Sequence, residues 1–299
     1  MGIFIRPFHK RIIAGICLSG LLLCACTNGN NATTNVSTPP QIPPRESFVM
    51  DFSDFTTTTD TTVNKDRMII PISFTQTSAE DFRSPAYAIG DRSNWNYAAF
   101  SVGFWNIVGV LGLAVPVASF VESFKYSPIQ QSDYSWVWRY SVPVLNSVYE
   151  AELHGKYIDT GVRWEMYISK QGEYTGFLWY YGESDLPATK GFWILKNKPS
   201  DPNDLLQIDW RRDPAQKISE IEYTNIVPGG AENGGYISYA VTTSTLFDRT
   251  YTIFNKGKKQ TTYIEWNSLT ENGRVKDSIH FSNDNWYCWD SQHLNSECK

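Results

Sequence analysis

Three groups of side chains have types and spacings that could do chemistry. Cys288, His293 and Cys298 stand at five-residue intervals near the C-terminus. Two thiols and an imidazole could hold a zinc ion; the same two thiols could instead oxidise to a disulfide. Glu150 and Glu152 are two apart, as are Glu220 and Glu222. On a strand that spacing puts both carboxylates on one face, where one can stay protonated beside the other and the pair can work as acid and base. The stretch "DPNDLLQID" offers Asp201, Asn203 and Asp204 as oxygen ligands, but a turn explains the same composition without a metal. The sequence holds no Gly-x-Ser-x-Gly, no His-Glu-x-x-His, no phosphate-cradling glycine loop and no EF-hand spacing. The carboxylate pairs, His154 and His280 are expected on wet strand faces, and His293 in an exposed tail. These residues predict a non-enzymatic chain with no cofactor and no metal.

A different chemistry is written at the start of the chain. Arg6, Lys10 and Arg11 precede the apolar run Ile12–Leu23, and Leu23-Cys24-Ala25-Cys26 follows. A positive start, a short apolar core and a small-residue site are the layout of a secretory signal. The four-residue end resembles the lipobox of bacterial lipoproteins. That resemblance implies removal of residues 1–25 and transfer of a diacylglyceryl group to the thiol of Cys26. At roughly 0.8 kcal/mol per buried methylene, two or three acyl chains hold a protein on a bilayer without a helix. Thr27 after the cysteine, and the lack of acidic residues in "TNGNN", imply an outer-membrane protein facing the periplasm. In such an oxidising compartment the disulfide between Cys288 and Cys298 is favoured over the metal. Losing Arg6, Lys10 and Arg11 takes the formal charge from −5 to −8. A negative body argues against nucleic acid and against electrostatic adhesion to anionic lipid.

The elements that must position any site follow from periodicity. Residues 26–47 are rich in Asn, Thr and Pro, which predicts a disordered tether after the lipidated cysteine. A single β-rich domain is expected over 48–299. From Tyr134 onward apolar and polar residues alternate: Trp136, Trp138 and Tyr140; Trp164, Met166 and Ile168; Leu206, Ile208 and Trp210; Val275, Ile279 and Phe281. This is the pattern of antiparallel strands with one buried and one wet face. Turn signals at Asp159–Gly161, Gln171-Gly172, Pro199–Asn203, Pro228–Gly230, Lys256-Gly257 and Asn272-Gly273 divide the region into nine or ten strands. "RMIIPISF" and "ESFVMDFSDF" are candidate further strands.

Ala98–Phe124 alone breaks the period of two. It is apolar almost all round, which fits burial or a bilayer, and Ser93 or Asn94 could cap it. Gly103, Gly109, Gly112 and Pro116 suggest two short helices. A lipid-anchored chain gains little from a second anchor, and the strands' apolar faces need a partner. The favoured architecture is therefore a large curved antiparallel sheet or half-barrel of about ten strands covering a helical insert near 93–125; membrane insertion is the alternative. A long sheet curling over apolar helices in a tethered lipoprotein resembles the half-barrel lipoprotein-carrier class, the LolA-like fold. The resemblance lies in element order and setting and carries no site residues with it. The expected ligand-facing residues are Trp105, Val110, Leu113, Trp136, Trp138 and Trp164, with core packing as the competing role for the aromatics. The expected function is binding of an apolar ligand such as a lipid acyl chain. The alternatives are an envelope scaffold that binds a protein partner and has a self-filled core, and a carbohydrate-binding or glycan-hydrolysing lipoprotein.

Overall fold

The computed structural model describes residues 38–51 and 91–298, apart from residue 145 and the side chains of residues 104–112. Among these residues one long helix, α1 (Ser93–Ser123), precedes fourteen strands. They are β1 (Ile129–Gln130), β2 (Trp136–Val144), β3 (Ser147–Ile158), β4 (Gly161–Lys170), β5 (Tyr174–Ser184), β6 (Lys190–Lys198) and β7 (Asp201–Asp213). There follow β8 (Ile218–Asn225), β9 (Tyr236–Val241), β10 (Arg249–Asn255), β11 (Gln260–Trp266), β12 (Gly273–Lys276), β13 (Tyr287–Trp289) and β14 (Asn295–Ser296). All lie in one curved antiparallel sheet in strict chain order, with β1 and β14 at its edges. Connections after odd-numbered strands therefore share one rim, and those after even-numbered strands share the other. The mainly-β expectation holds, but about ten strands was too few. Those missed include β1, β13 and β14, each two or three residues long, too short for a period of two to register.

Register is pinned from both faces. On the convex face Arg139–Glu152, Arg163–Glu183, Lys196–Asp204, Arg211–Glu220 and Arg274–Glu265 are ion pairs, each between residues directly opposite on neighbouring strands. A one-residue slip would separate every pair and turn the apolar set outward. On the concave face Trp138, Leu153, Met166, Tyr180, Trp193, Ile208, Ile237 and Ile264 are buried in one continuous core. A bulge in β5 between the partners of Met166 and Tyr167 leaves Trp179 unpaired. Consecutive residues Trp179 and Tyr180 are both buried in consequence.

Local readings needed correction where tertiary packing or side-chain caps intervened. Pro202 and Asn203, read as a turn, lie inside β7 beside irregular register with β6. The strand expected to run through Ile279 stops at Lys276, because the Asp277 carboxylate accepts the amides of Ile279 and His280 and turns the chain; Ile279 is exposed. At the start of "ESFVMDFSDF" a 3-10 turn, Arg45–Ser47, runs into the stretch, residues 48–51 pair with no strand, and residues 52–55 lie outside the described residues. "RMIIPISF" lies outside the described residues. The last ten residues of the expected tether are placed against the sheet: the Tyr157 hydroxyl donates to the Thr38 carbonyl at 3.3 Å, and Pro40 and Pro43 are buried. Proline rings supply apolar surface and a preset extended backbone, which a count of classical apolar residues overlooks.

α1 is one continuous helix with Pro116 inside it, where two short ones were expected. Among its buried residues, Trp95, Ala98, Val102, Leu113, Val117 and Phe120 follow the 3.6-residue repeat. Ala99, Ala114, Val115, Ala118 and Val121 are half-buried and pack against the same core. Among the described side chains, the sheet thus covers one stripe of the helix closely and its flanks in part. Packing of this kind outweighs weak local propensity. Among the described residues no helix is long and apolar enough to cross a membrane.

Candidate functional site

The candidate site is the concave face and the two segments that occupy it. The N-terminal end of α1 sits in two polar sockets. The first amides of a helix lack intrahelical acceptors, and the β13–β14 hairpin helps supply them. The Asp91 carboxylate accepts from the Ser93 amide at 2.7 Å and the Asn295 side chain at 2.5 Å. Asn295 accepts the Asn94 amide at 3.0 Å, and the Asn94 side chain donates to the Cys288 carbonyl at 2.9 Å. Ser93 and Asn94 were expected as caps; Asp91 provides the acceptor instead, and Asn94 ties the helix to the sheet. Trp95 stacks on His293 at 4.5 Å. The hairpin is closed by the Cys288–Cys298 disulfide, so neither thiol is left to ligate a metal.

The second socket is Asp277, whose side chain is fully buried. Its Oδ1 accepts the two amides of its own turn. Its Oδ2 accepts the hydroxyl of Tyr97 at 2.7 Å, the amide of Gln260 at 2.8 Å and the hydroxyl of Thr262 at 2.5 Å. Five donors replace the hydration this carboxylate loses. Tyr97 belongs to α1, so the carboxylate couples helix to strand. Burial, then the adjacent negative charge of Asp277, hold the Tyr97 phenol well above its ordinary range. His280 stacks on Tyr97 at 3.7 Å, and burial pushes its imidazole down.

The C-terminal end of α1 is held by packing. The Tyr140 hydroxyl donates to the Ser119 carbonyl at 2.6 Å. Phe120 lies 4.7 Å from Phe48 and 5.4 Å from Trp193, ring centre to ring centre. Phe48 also meets Tyr180 at 4.7 Å. The segment bearing Phe48 continues across the face: Tyr223 donates to the Phe48 carbonyl and accepts the Met50 amide, both at 2.8 Å, and Tyr251 donates to the Asp51 carbonyl. Residues 38–51 thus form a strap from β3 to β10. Neither the strap nor the two sockets was anticipated. A lone aspartate and a short Phe-Val-Met run carry no distinctive spacing, and the alternation in "ESFVMDF" imitates a strand.

Of the expected ligand-facing residues, Leu113, Trp136, Trp138 and Trp164 are all buried in the one core. The side chains of Trp105 and Val110 lie outside the described set. Trp138 and Trp164 are 5.8 Å apart. Gly155 is registered between Trp136 and Trp164, and a Cβ there would come within 2.8 Å of the Trp164 ring and 3.1 Å of Pro40. The Trp164 indole donates to Ser184 at 3.0 Å. By contrast, the indole nitrogens of Trp136, Trp179 and Trp210, the Tyr180 hydroxyl and the Ser119 hydroxyl are buried with no hydrogen-bond partner among the described residues. At the rim beyond Trp210, a cleft of about 240 Å³ opens between Pro44, Glu46 and Ser47 of the strap and the β7–β8 turn.

The candidate carboxylate pairs, expected on wet faces, are engaged mainly by other groups. Glu150 accepts from Ser141, Glu152 pairs with Arg139 and His154, and Glu220 pairs with Arg211. The carboxylates that do face each other are Asp209 and Glu222, opposite one another on β7 and β8. Burial raises both, and in Glu222 the charge of Asp209 adds to it. Among the described residues no three His, Cys, Asp or Glu side chains are grouped as a metal site requires. His280 and His293, expected in water, are half-buried against aromatic rings. No family model, curated protein or solved structure matches this chain.

Proposed function

We propose that this chain is a non-enzymatic, lipid-anchored protein of the bacterial envelope, facing the periplasm from the outer membrane, whose concave sheet face binds an apolar ligand such as a lipid acyl chain. The anchor half rests on Cys26 and the residues before it. The binding half is carried by one observation: a continuous apolar wall that also holds the orphaned donors of Trp136, Trp179, Trp210 and Tyr180. Each unmade buried hydrogen bond costs about 1–3 kcal/mol. An acyl chain ending in an ester or carboxyl group has an apolar body for the wall and acceptor oxygens for such donors. α1 is then the occupant with which a ligand shares or contests the face. Native mass spectrometry of the full chain is expected to find a non-covalent adduct of lipid mass beyond the chains on Cys26, with lower occupancy in Tyr180→Phe. Repeated preparations without any adduct would overturn the binding half.

A second reading, an envelope scaffold with a self-filled core, is favoured by Phe48. It is fully buried among Phe120, Tyr180 and Trp193, so the chain supplies its own apolar filler. Absence of the adduct would select this reading. The carbohydrate alternative gains no support, because Trp136, Trp138, Trp164, Trp193 and Trp210 are turned into the core rather than laid open for a sugar ring.

A further inference from the structure

The odd-numbered connections carry exposed apolar side chains at their tips. Leu186 follows β5, Leu246 follows β9 and Leu269 follows β11, at 60, 58 and 90 % exposure. Tyr134, after β1, is exposed on the same rim. These tips are built, not frayed. The Asp185 carboxylate accepts the amides of Thr189 and Lys190 at 2.7 and 3.1 Å, which closes the turn under Leu186. The Asn267 side chain donates to the carbonyls of Thr245 and Leu246 at 3.1 and 3.3 Å, and Asp248 accepts the Ser268 amide at 2.8 Å. The loops bearing Leu246 and Leu269 are therefore one body. Nothing in that bonding requires a leucine at either tip, and an exposed leucine gains no burial from folding.

Exposure alone does not choose this rim, because Val148 and Ile279 are exposed towards the other. The route of the chain does. Thr38 is held by Tyr157, at the end of β3 that leads into an odd-numbered connection. Twelve peptide steps separate it from Cys26, at most roughly 40 Å of chain. The described chain therefore begins, at Thr38, on the leucine-bearing side and within that reach of Cys26. The body carries a net negative charge, so contact with anionic lipid has to come from apolar groups. Leucine tips and an exposed tyrosine on the same rim suit the boundary between headgroups and acyl chains.

We infer that the odd-numbered rim is a membrane-facing surface, with Leu269, Leu246 and Leu186 dipping into the periplasmic leaflet of the bilayer that holds the lipidated Cys26. The inference rests on the lipoprotein reading. The test places an environment-sensitive dye on Leu269→Cys or Ile279→Cys in the full chain, with the native disulfide intact, on vesicles of phosphatidylethanolamine and phosphatidylglycerol. The mass of the N-terminal peptide is recorded in parallel. Acylated protein should show a blue-shifted dye at 269 that is quenched by nitroxide-bearing lipid, and an aqueous, unquenched dye at 279. Acylated protein with an aqueous dye at 269, or with equal signals at both positions, overturns the inference alone. An N-terminal peptide without acyl mass sinks the lipoprotein reading and this inference with it.

Discussion

Replacing Asp277 with asparagine tests how α1 is fastened to the sheet. In the native site Oδ1 takes two backbone amides and Oδ2 takes the donors of Tyr97, Gln260 and Thr262. An asparagine can keep its oxygen on the backbone amides, but its NH2 group then faces three donors. The two hydroxyls can rotate to accept, and the Gln260 amide can flip, so the loss is smaller than three whole bonds. Hydrogen bonds to a charged group contribute about 1.5–3 kcal/mol each, and neutral ones about half as much. Relief of the buried charge offsets part of the difference. The expected net cost is about 2–4 kcal/mol. Tyr97→Phe removes one of the five bonds and should cost about 1.5–3 kcal/mol. Because the two variants share that bond, the double variant should cost less than the sum, with a coupling of about 1 kcal/mol or more. Urea midpoints at unchanged slope give the stabilities, and amide hydrogen exchange should show the first turns of α1 opening before the strands. An Asp277→Asn midpoint within about 0.5 kcal/mol of the parent, or strict additivity with Tyr97→Phe, would refute the reasoning.

Phe48→Ala should destabilise the chain by about 3–5 kcal/mol, the range for a fully buried ring, and should speed proteolysis within residues 38–51 ahead of the strands; an urea midpoint unchanged from the parent would show that the strap is not part of the core. Joint replacement of Cys288 and Cys298 by alanine opens a ring closed over a separation of ten residues, which by chain entropy costs about 2.5–3 kcal/mol. The loss should appear first as faster exchange at Asn94 and Trp95, and protection there equal to the parent's would contradict the socket. The raised carboxyls of Asp209 and Glu222 favour the folded state when protonated. Their contribution is therefore full below the ordinary carboxylate range, about pH 4, and is lost as pH rises through their higher folded-state values. Asp209→Asn should accordingly raise Tm at neutral pH and lose that advantage on acidification; a variant whose advantage over the parent does not change with pH would contradict the pairing. The depressed histidines His280 and His293 act with the opposite sign, so the quantity to read is the variant-minus-parent difference.

Much of the sheet was legible because its two faces differ so sharply. Trp138, Tyr140, Leu153 and Met166 alternate with Arg139, Glu152 and Glu165, and no other regular structure satisfies that order. The disulfide was legible because only two cysteines follow Cys26. The helix was legible as an apolar insert but not as one rod, since Gly109, Gly112 and Pro116 report local preference while packing against the sheet decides the outcome. Long-range polar contacts leave no periodic trace. Asn94 reaches Cys288 across 194 residues and Tyr97 reaches Asp277 across 180. The strap hid for a related reason: its prolines and its lone phenylalanine resemble a linker until a sheet lies beneath them. The orphaned indoles lay among residues already singled out as aromatic, but their lack of partners is a property of the folded face.

The account turns on α1 lying against the concave face of its own sheet. The direct measurement replaces Phe120 by p-benzoylphenylalanine in the full chain mixed with phospholipid vesicles, irradiates it and maps the cross-link by mass spectrometry. The account predicts adducts to Phe48, Tyr180 or Trp193. A cross-link to phospholipid, with none to these residues, would contradict it.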